Sequence, residues 1–122
     1  MTIKKIGIIG AGTMGHGIAQ VAAASGFEVL ITDIDGEKLT KQLARIEKNF
    51  DKLVTKEKIS ADDKTKFLAQ IKSTNALQDF ASCDLIIEAI TENTADKIKL
   101  VQELNEIAND RTIVATNTSS IS

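Results

Sequence analysis

Residues 6 to 17 read Ile-Gly-Ile-Ile-Gly-Ala-Gly-Thr-Met-Gly-His-Gly. The apolar run Ile6, Ile8, Ile9 feeds Gly10-x-Gly12-x-x-Gly15, and an alanine-rich helical stretch follows from Ile18 to Ser25. Asp33 ends a second apolar run eighteen positions after Gly15. Strand, glycine turn, helix, strand and acid in that order restrict the chain to a βαβ unit, in which each glycine has its own reason. Gly10 permits the tight turn out of the strand, Gly12 lets a ligand approach the backbone, and Gly15 lets the helix pack closely on the sheet. Gly26 falls where a helix is closed by a residue of left-handed conformation.

A helix that starts directly on such a turn offers free N–H groups and a partial positive charge. Gly10, Ala11, Gly12, Thr13, Met14 and Gly15 are therefore placed around a pyrophosphate, and the ligand expected is a nicotinamide or flavin dinucleotide. Asp33 accepts hydrogen bonds from ribose hydroxyls. Its charge opposes a 2′-phosphate, Asp35 lies nearby and no arginine is adjacent, so NAD is preferred to NADP.

The chain of 122 residues is long enough for one domain around a single core, taken as residues 1–122. No apolar run is long enough to span a membrane and no secretory signal opens the chain, so a cytoplasmic setting is expected. Cys83 is the only cysteine, which excludes an internal disulfide and a cysteine-cluster zinc site, and no metal is expected. A net charge of −2 argues against nucleic acid as a partner. That charge is unevenly spread: residues 37 to 72 hold ten of the fifteen basic residues and six of the seventeen acids.

Strands are expected over Lys5 to Ile9 and Glu28 to Thr32. Nearly forty residues then separate Asp33 from the next strand-like segment, long for a simple crossover. Leu39, Leu43, Ile46, Phe50 and Leu53 recur at helical spacing. A second helix opens at Ser60, an N-cap residue with Asp63 in its first turn, and Phe67, Leu68 and Ile71 give it a small apolar face. Residues 36 to 71 thus read as a helical hairpin projecting from the nucleotide fold. Further strands are expected near Lys72 to Thr74, over Asp84 to Ile90 and over Ile113 to Thr116. A helix from Thr94 to Ala108 is expected to turn Ile98, Val101, Leu104 and Ile107 inward, with Leu100 beside them. The fold class is α/β, a Rossmann-type doubly wound parallel sheet with a helical-hairpin insertion after the second strand. Ligands of such sheets bind at the carboxyl ends of the strands, so Glu88 to Glu92 and Asn117, Thr118 and Ser119 are expected to line the cleft.

Three separated motifs together resemble the N-terminal NAD-binding domain of the 3-hydroxyacyl-CoA dehydrogenases, including the 3-hydroxybutyryl-CoA enzymes. They are Gly10 to Gln20, Glu88 to Asn93 with Lys97, and Asn117 to Ser120. The insertion after Asp33 matches as well, and the resemblance runs over the whole chain. It implies reversible oxidation of an (S)-3-hydroxyacyl-CoA to the 3-ketoacyl-CoA with NAD as hydride acceptor. It assigns Gly10 to Gly15 to the pyrophosphate, Asp33 to the adenosine ribose, and Glu92, Lys97 and Asn117 to NAD. Ser119 falls beside both nicotinamide and substrate, where it positions the substrate oxygen. Lys56 falls on the CoA-contacting lysine of the hairpin, and Asn49 on a CoA-contacting position where a relative has serine. The basic hairpin then has a meaning, since it would attract the phosphates of CoA.

The residues alone leave plainer readings open. The hairpin lysines solvate helix faces, Ser119 caps a loop after the fifth strand, Lys97 pairs with Glu92, and Cys83 is a small residue before a strand. His16, the only histidine, belongs to the first turn of the phosphate-binding helix and is rejected as a base. The family's general base, a His held by a Glu, belongs to sequence after the Asn117–Ser120 motif. The chain is therefore expected to be the cofactor half of an oxidoreductase, inactive alone, self-associating or marginally stable. A helical second domain, absent from these 122 residues, is expected to make the complete protein a homo-oligomer. The alternatives are a stand-alone dinucleotide-binding module and a dehydrogenase of the 3-hydroxyisobutyrate or 6-phosphogluconate type.

Overall fold

In the computed structural model the described residues are 2–90, 95–109 and 111–116. The elements run β1 (Lys5–Ile9), α1 (Thr13–Ala24), β2 (Glu28–Thr32), α2 (Gly36–Thr55), α3 (Ala61–Ala69) and β3 (Ile71–Ser73). A 3₁₀ helix (Leu77–Ser82), β4 (Leu85–Glu88), α4 (Ala95–Ile107) and β5 (Ile113–Thr116) complete them. Among the described residues the strands form one parallel sheet in the order β3-β2-β1-β4-β5. The order reverses direction at β1, which puts the ligand crevice at the carboxyl ends of β1, β2 and β4.

Alternation along the strands fills a core on each face. Ile6, Ile8, Val29 and Ile31 meet Ala11, Ala19, Ala22 and Ala23 of α1 and its entry turn on one side. Ile9, Leu30 and Ile86 meet Phe80, Cys83, Ile90 and Leu104 on the other. Alanines on α1 bring its backbone close to the sheet. Gly7 does the same opposite the 3₁₀ helix, where an added Cβ would lie 2.6 Å from Phe80 Cδ1 and 2.9 Å from Cys83 Sγ. The buried ring of Phe80 occupies the space that Gly7 vacates.

The helix α1 starts at Thr13, ahead of the alanine-rich stretch, and is followed by Gly26 at φ 93°. The insertion is two helices that pack on each other through Phe50 and Phe67, whose ring centroids are 5.6 Å apart. Ser60 and Asp63 form a reciprocal capping box at the start of α3. Lys64 of α3 pairs with Asp51 of α2, and that carboxylate raises the ammonium's pKa. The insertion does not project along its whole length. Ile46 and Phe50 are buried in one cluster with α1, so the apolar stripe of α2 covers the nucleotide fold as well as α3.

Two further expectations need correction. Ile98 is 55% exposed, whereas Lys97 and Leu104 are buried and Leu100 packs on the second core. The inward face of α4 is therefore rotated toward Lys97, which a buried ionic contact draws in. The fourth strand is also shorter than expected, Leu85–Glu88, because the chain leaves the sheet at Ala89. Its start is tied to β1 by Asp84, whose Oδ2 accepts from the N–H groups of Lys4 and Lys5 at 2.9 and 3.0 Å. These bonds hold the Asp84 carboxyl below the usual carboxylate range. Among the described residues, no helix is long and apolar enough to cross a membrane.

Candidate functional site

The turn between β1 and α1 is a stack of backbone surfaces. Gly10 has φ 107°, a conformation that L side chains rarely adopt. A Cβ there would also lie 2.9 Å from the carbonyl carbon of Ala89 and from the nitrogen of Ile90. Gly15, one turn into α1, rests on the turn itself, and its Cβ would lie 1.7 Å from the carbonyl oxygen of Gly10. Three layers of main chain are thus in contact: α1 on the glycine turn, and the glycine turn on the exit of β4. Gly12 is the N-cap of α1 and gives it no side-chain cap, and the first turn carries no acid. The positive end of the helix therefore opens onto Gly12, Thr13 and Met14 with no side chain to neutralise it.

Asp33 ties two turns together. Its Oδ2 accepts from Ala11 N–H at 2.6 Å and its Oδ1 from Asp35 N–H at 2.8 Å. Each carboxylate oxygen keeps a further lone pair, so the group can also accept from vicinal hydroxyls. Asp35 caps α2 by accepting from Glu37 and Lys38 N–H. His16 is buried, and its Nδ1 lies 2.9 Å from Gly12 O, the atom that also accepts its backbone N–H. A carbonyl only accepts, so Nδ1 carries the proton and the ring buttresses the turn.

Beneath the turn is a buried ionic contact that sequence reasoning did not identify. Glu88 was expected to line the cleft, but it is fully buried, and its Oε2 accepts from Ile90 N–H at 2.5 Å. Lys97 is 2% exposed. Its ammonium donates to Ile90 O at 2.7 Å and lies 3.4 Å from Glu88 Oε1. Glu88 Oε1 has no well-formed hydrogen bond, so its contact with Lys97 is electrostatic. Together the two side chains grip Ile90 through both its N–H and its C=O, at the end of the peptide on which Gly10 rests. The signal in the sequence was a charged residue inside an apolar strand run with a lysine nine positions later.

The remaining predicted positions are dispersed. Glu92, Asn117 and Ser119 lie outside the described residues. Lys56 is the exposed C-cap residue of α2. Asn49 donates to Gln20 Oε1 at 2.9 Å, which links α2 to α1. Among the described residues there is no cluster of acids, histidines and cysteines able to hold a metal. Cys83 is buried, and burial pushes its thiol up to about 11. It is therefore expected to resist a thiol reagent at pH 8 in the folded protein and to react promptly only after denaturant is added. Prompt native-state labelling would contradict that burial.

The chain matches a family model described as the NAD binding domain of 3-hydroxyacyl-CoA dehydrogenase, over residues 5–122. It is 43% identical over 120 residues to a 3-hydroxybutyryl-CoA dehydrogenase of Bradyrhizobium diazoefficiens, covering 98% of this chain and 41% of that protein. It is 37% identical to a 3-hydroxyadipyl-CoA dehydrogenase of Escherichia coli, covering all of this chain and 26% of that one. The crystal structure of (S)-3-hydroxybutyryl-CoA dehydrogenase from Ralstonia eutropha superposes with a TM-score of 0.90 at 41% identity, covering 99% of this chain and 43% of that one. The chain thus spans less than half the length of these relatives.

Proposed function

Since the chain belongs to the 3-hydroxyacyl-CoA dehydrogenase family as its NAD-binding domain, we propose that the complete protein interconverts an (S)-3-hydroxyacyl-CoA and the 3-ketoacyl-CoA. NAD, when bound, supplies the acceptor for the hydride leaving the substrate's C3. The observation that carries this reading is the stack at Gly15, Gly10 and Ile90. The contacts within it are made by the protein's own main chain, so they fix the glycine turn and hold the uncapped end of α1 at Gly12 where a pyrophosphate can meet its N–H groups.

In this reading Gly10, Ala11, Gly12, Thr13, Met14 and Gly15 hold the pyrophosphate, and Asp33 receives the ribose hydroxyls. Lys97 works on the nicotinamide side as a positioning residue, through the Ile90 backbone it grips, alongside Glu92 and Asn117. Ser119 positions the substrate oxygen beside the ring. Lys56 and Asn49, on the basic insertion, meet the phosphates of CoA. The hydroxyl proton leaves to a histidine–glutamate base from sequence following the Asn117–Ser120 motif. Homo-oligomerisation of the complete protein and a cytoplasmic setting belong to the same proposal.

Calorimetry provides the test. NAD is expected to bind the wild-type protein more tightly than NADP. Asp33→Ala is expected to weaken NAD by about tenfold to a hundredfold, the effect of losing charge-assisted hydrogen bonds. NADP binding as well as or better than NAD in the wild type would overturn the cofactor assignment. Turnover of 3-hydroxybutyryl-CoA by a polypeptide of residues 1–122 alone would overturn the placement of the base.

A further inference from the structure

We propose that a helix from the remainder of the complete protein, beyond these 122 residues, docks in an apolar trough between the outer flank of α1 and one face of β4 and β5. The proposal goes beyond the NAD reading and rests on the chain lengths of the family, not on the cofactor site.

Strands of a parallel sheet are apolar on both faces and need cover on both. On one face of β4 and β5 that cover is α4, where Ile86 and Val114 pack with Leu100 and Leu104 in the second core. The alternate residues of both strands point to the other face, which they share with α1. There the paired registers run Ile6, Leu85, Ile113 and Ile8, Ile87, Ala115 across β1, β4 and β5. Burial falls along each row. Ile6 is 7% exposed, Leu85 is half-buried and Ile113 is 46% exposed. Ile8 is buried, Ile87 half-buried and Ala115 exposed. Among the described residues α1 covers the β1 end of each row and leaves the β5 end open. The wall of the trough is the flank of α1. Val21 is 66% exposed, and the groove beside it runs past Ile6, Ile18 and Phe27, with Thr13 and Ser25 marking the two ends of the helix.

Dimensions and chemistry fit one helix. Two neighbouring strands span about 10 Å, the width of a helix with its side chains. The groove follows α1 along its twelve residues, which is about 18 Å or three turns. Between Thr13 and Ser25 its lining carries no polar side chain, so it suits the apolar stripe of an amphipathic helix and offers no charge to a small anion. Handedness then says where in the chain that helix comes from. The right-handed crossover from β4 to β5 puts α4 on the opposite face, and a further crossover outward from β5 would fall on the side of α4 again. The next unit of that kind therefore cannot fill the trough, and the occupant returns to it from further along the chain. The length needed is there, since the matched relatives are more than twice as long as the part that aligns with these residues.

The test is made on the complete protein with substitutions at Val21 and, as a control, at the exposed Ala44 of α2. Val21→Cys is expected to react with a thiol reagent at least about tenfold more slowly than Ala44→Cys, at every protein concentration. Mass spectrometry of the peptide that carries the new thiol gives both rates. Val21→Asp is expected to melt about 5 °C or more below Ala44→Asp, because it drives a charge into an apolar contact. If Val21→Asp does not fold, the two labelling rates decide alone. Labelling of Val21→Cys as fast as Ala44→Cys would overturn the proposal, and so would equal melting of the two aspartate variants. Protection of Val21→Cys that disappears on dilution would overturn it as well, by giving the trough to a second copy of the protein. Neither readout involves NAD, so a failure here leaves the cofactor assignment standing.

Discussion

Valine at position 15 is expected to abolish measurable NAD binding and to lower the melting temperature by about 15 °C. The cause is a collision with main chain, which cannot rotate away as a side chain can. A Cβ at this position falls 1.7 Å from Gly10 O and 2.8 Å from Gly10 C. Either α1 lifts off the sheet or the glycine turn deforms, and both separate the helix end from the place a phosphate would occupy. A cost of about 4 kcal/mol is at the upper end for single substitutions and converts to the stated shift in a domain of this size. Gly17, two residues along the same helix, is the control. An added Cβ there meets nothing within 4 Å. Gly17→Ala is accordingly expected to stabilise by up to about 1 kcal/mol through helix propensity and to leave NAD binding intact. Differential scanning fluorimetry and calorimetry on both variants decide the matter. A Gly15→Val protein that melts and binds like wild type would remove the basis of the site.

The second large effect is expected at Lys97, which touches the turn only from below. Lys97→Met leaves the carboxylate of Glu88 buried without its cation, and breaking a buried pair in this way costs about 3–5 kcal/mol. The loss should be partly reversed in Glu88→Gln/Lys97→Met. There a neutral amide oxygen can still accept from Ile90 N–H and no charge is stranded. Thermal unfolding of the two single variants and the double variant forms a cycle whose coupling term is the quantity of interest. If the double variant loses as much as the two singles combined, the pair does not act as a pair. NAD affinity should follow the same order, because the backbone gripped at Ile90 supports Gly10.

These two effects also mark what was legible in the sequence. The glycine turn could be read because each glycine answers a local steric demand that recurs wherever a strand, a turn and a helix meet a phosphate. β1, β2 and β5 have the bounds expected from apolar runs. The support beneath the turn could not be read in that way. Glu88 and Lys97 have the polarity of surface residues, and only the tertiary structure turns them inward, rotating α4 so that Ile98 faces out. The 3₁₀ helix escaped for a different reason. Six residues with no amphipathic period give no pattern, and Phe80 acquires its place only opposite Gly7. The sequence reading of Asp33 looked toward a ribose and not toward Ala11, since a bond across 22 positions leaves no mark on local composition.

The reversal of strand order at β1 has a consequence for how cofactor and fold depend on each other. The turn after β1, the acid after β2 and the peptide after β4 come from three distant parts of the chain. They meet only when β1 is paired on both sides. No excised loop or half-paired sheet can present the site, so the cofactor binds only the assembled form and its free energy is added to the whole β2–β1–β4 unit. Bound NAD should therefore slow hydrogen exchange at the centre of the sheet as well as in the loops it touches, and act as a reporter of global integrity.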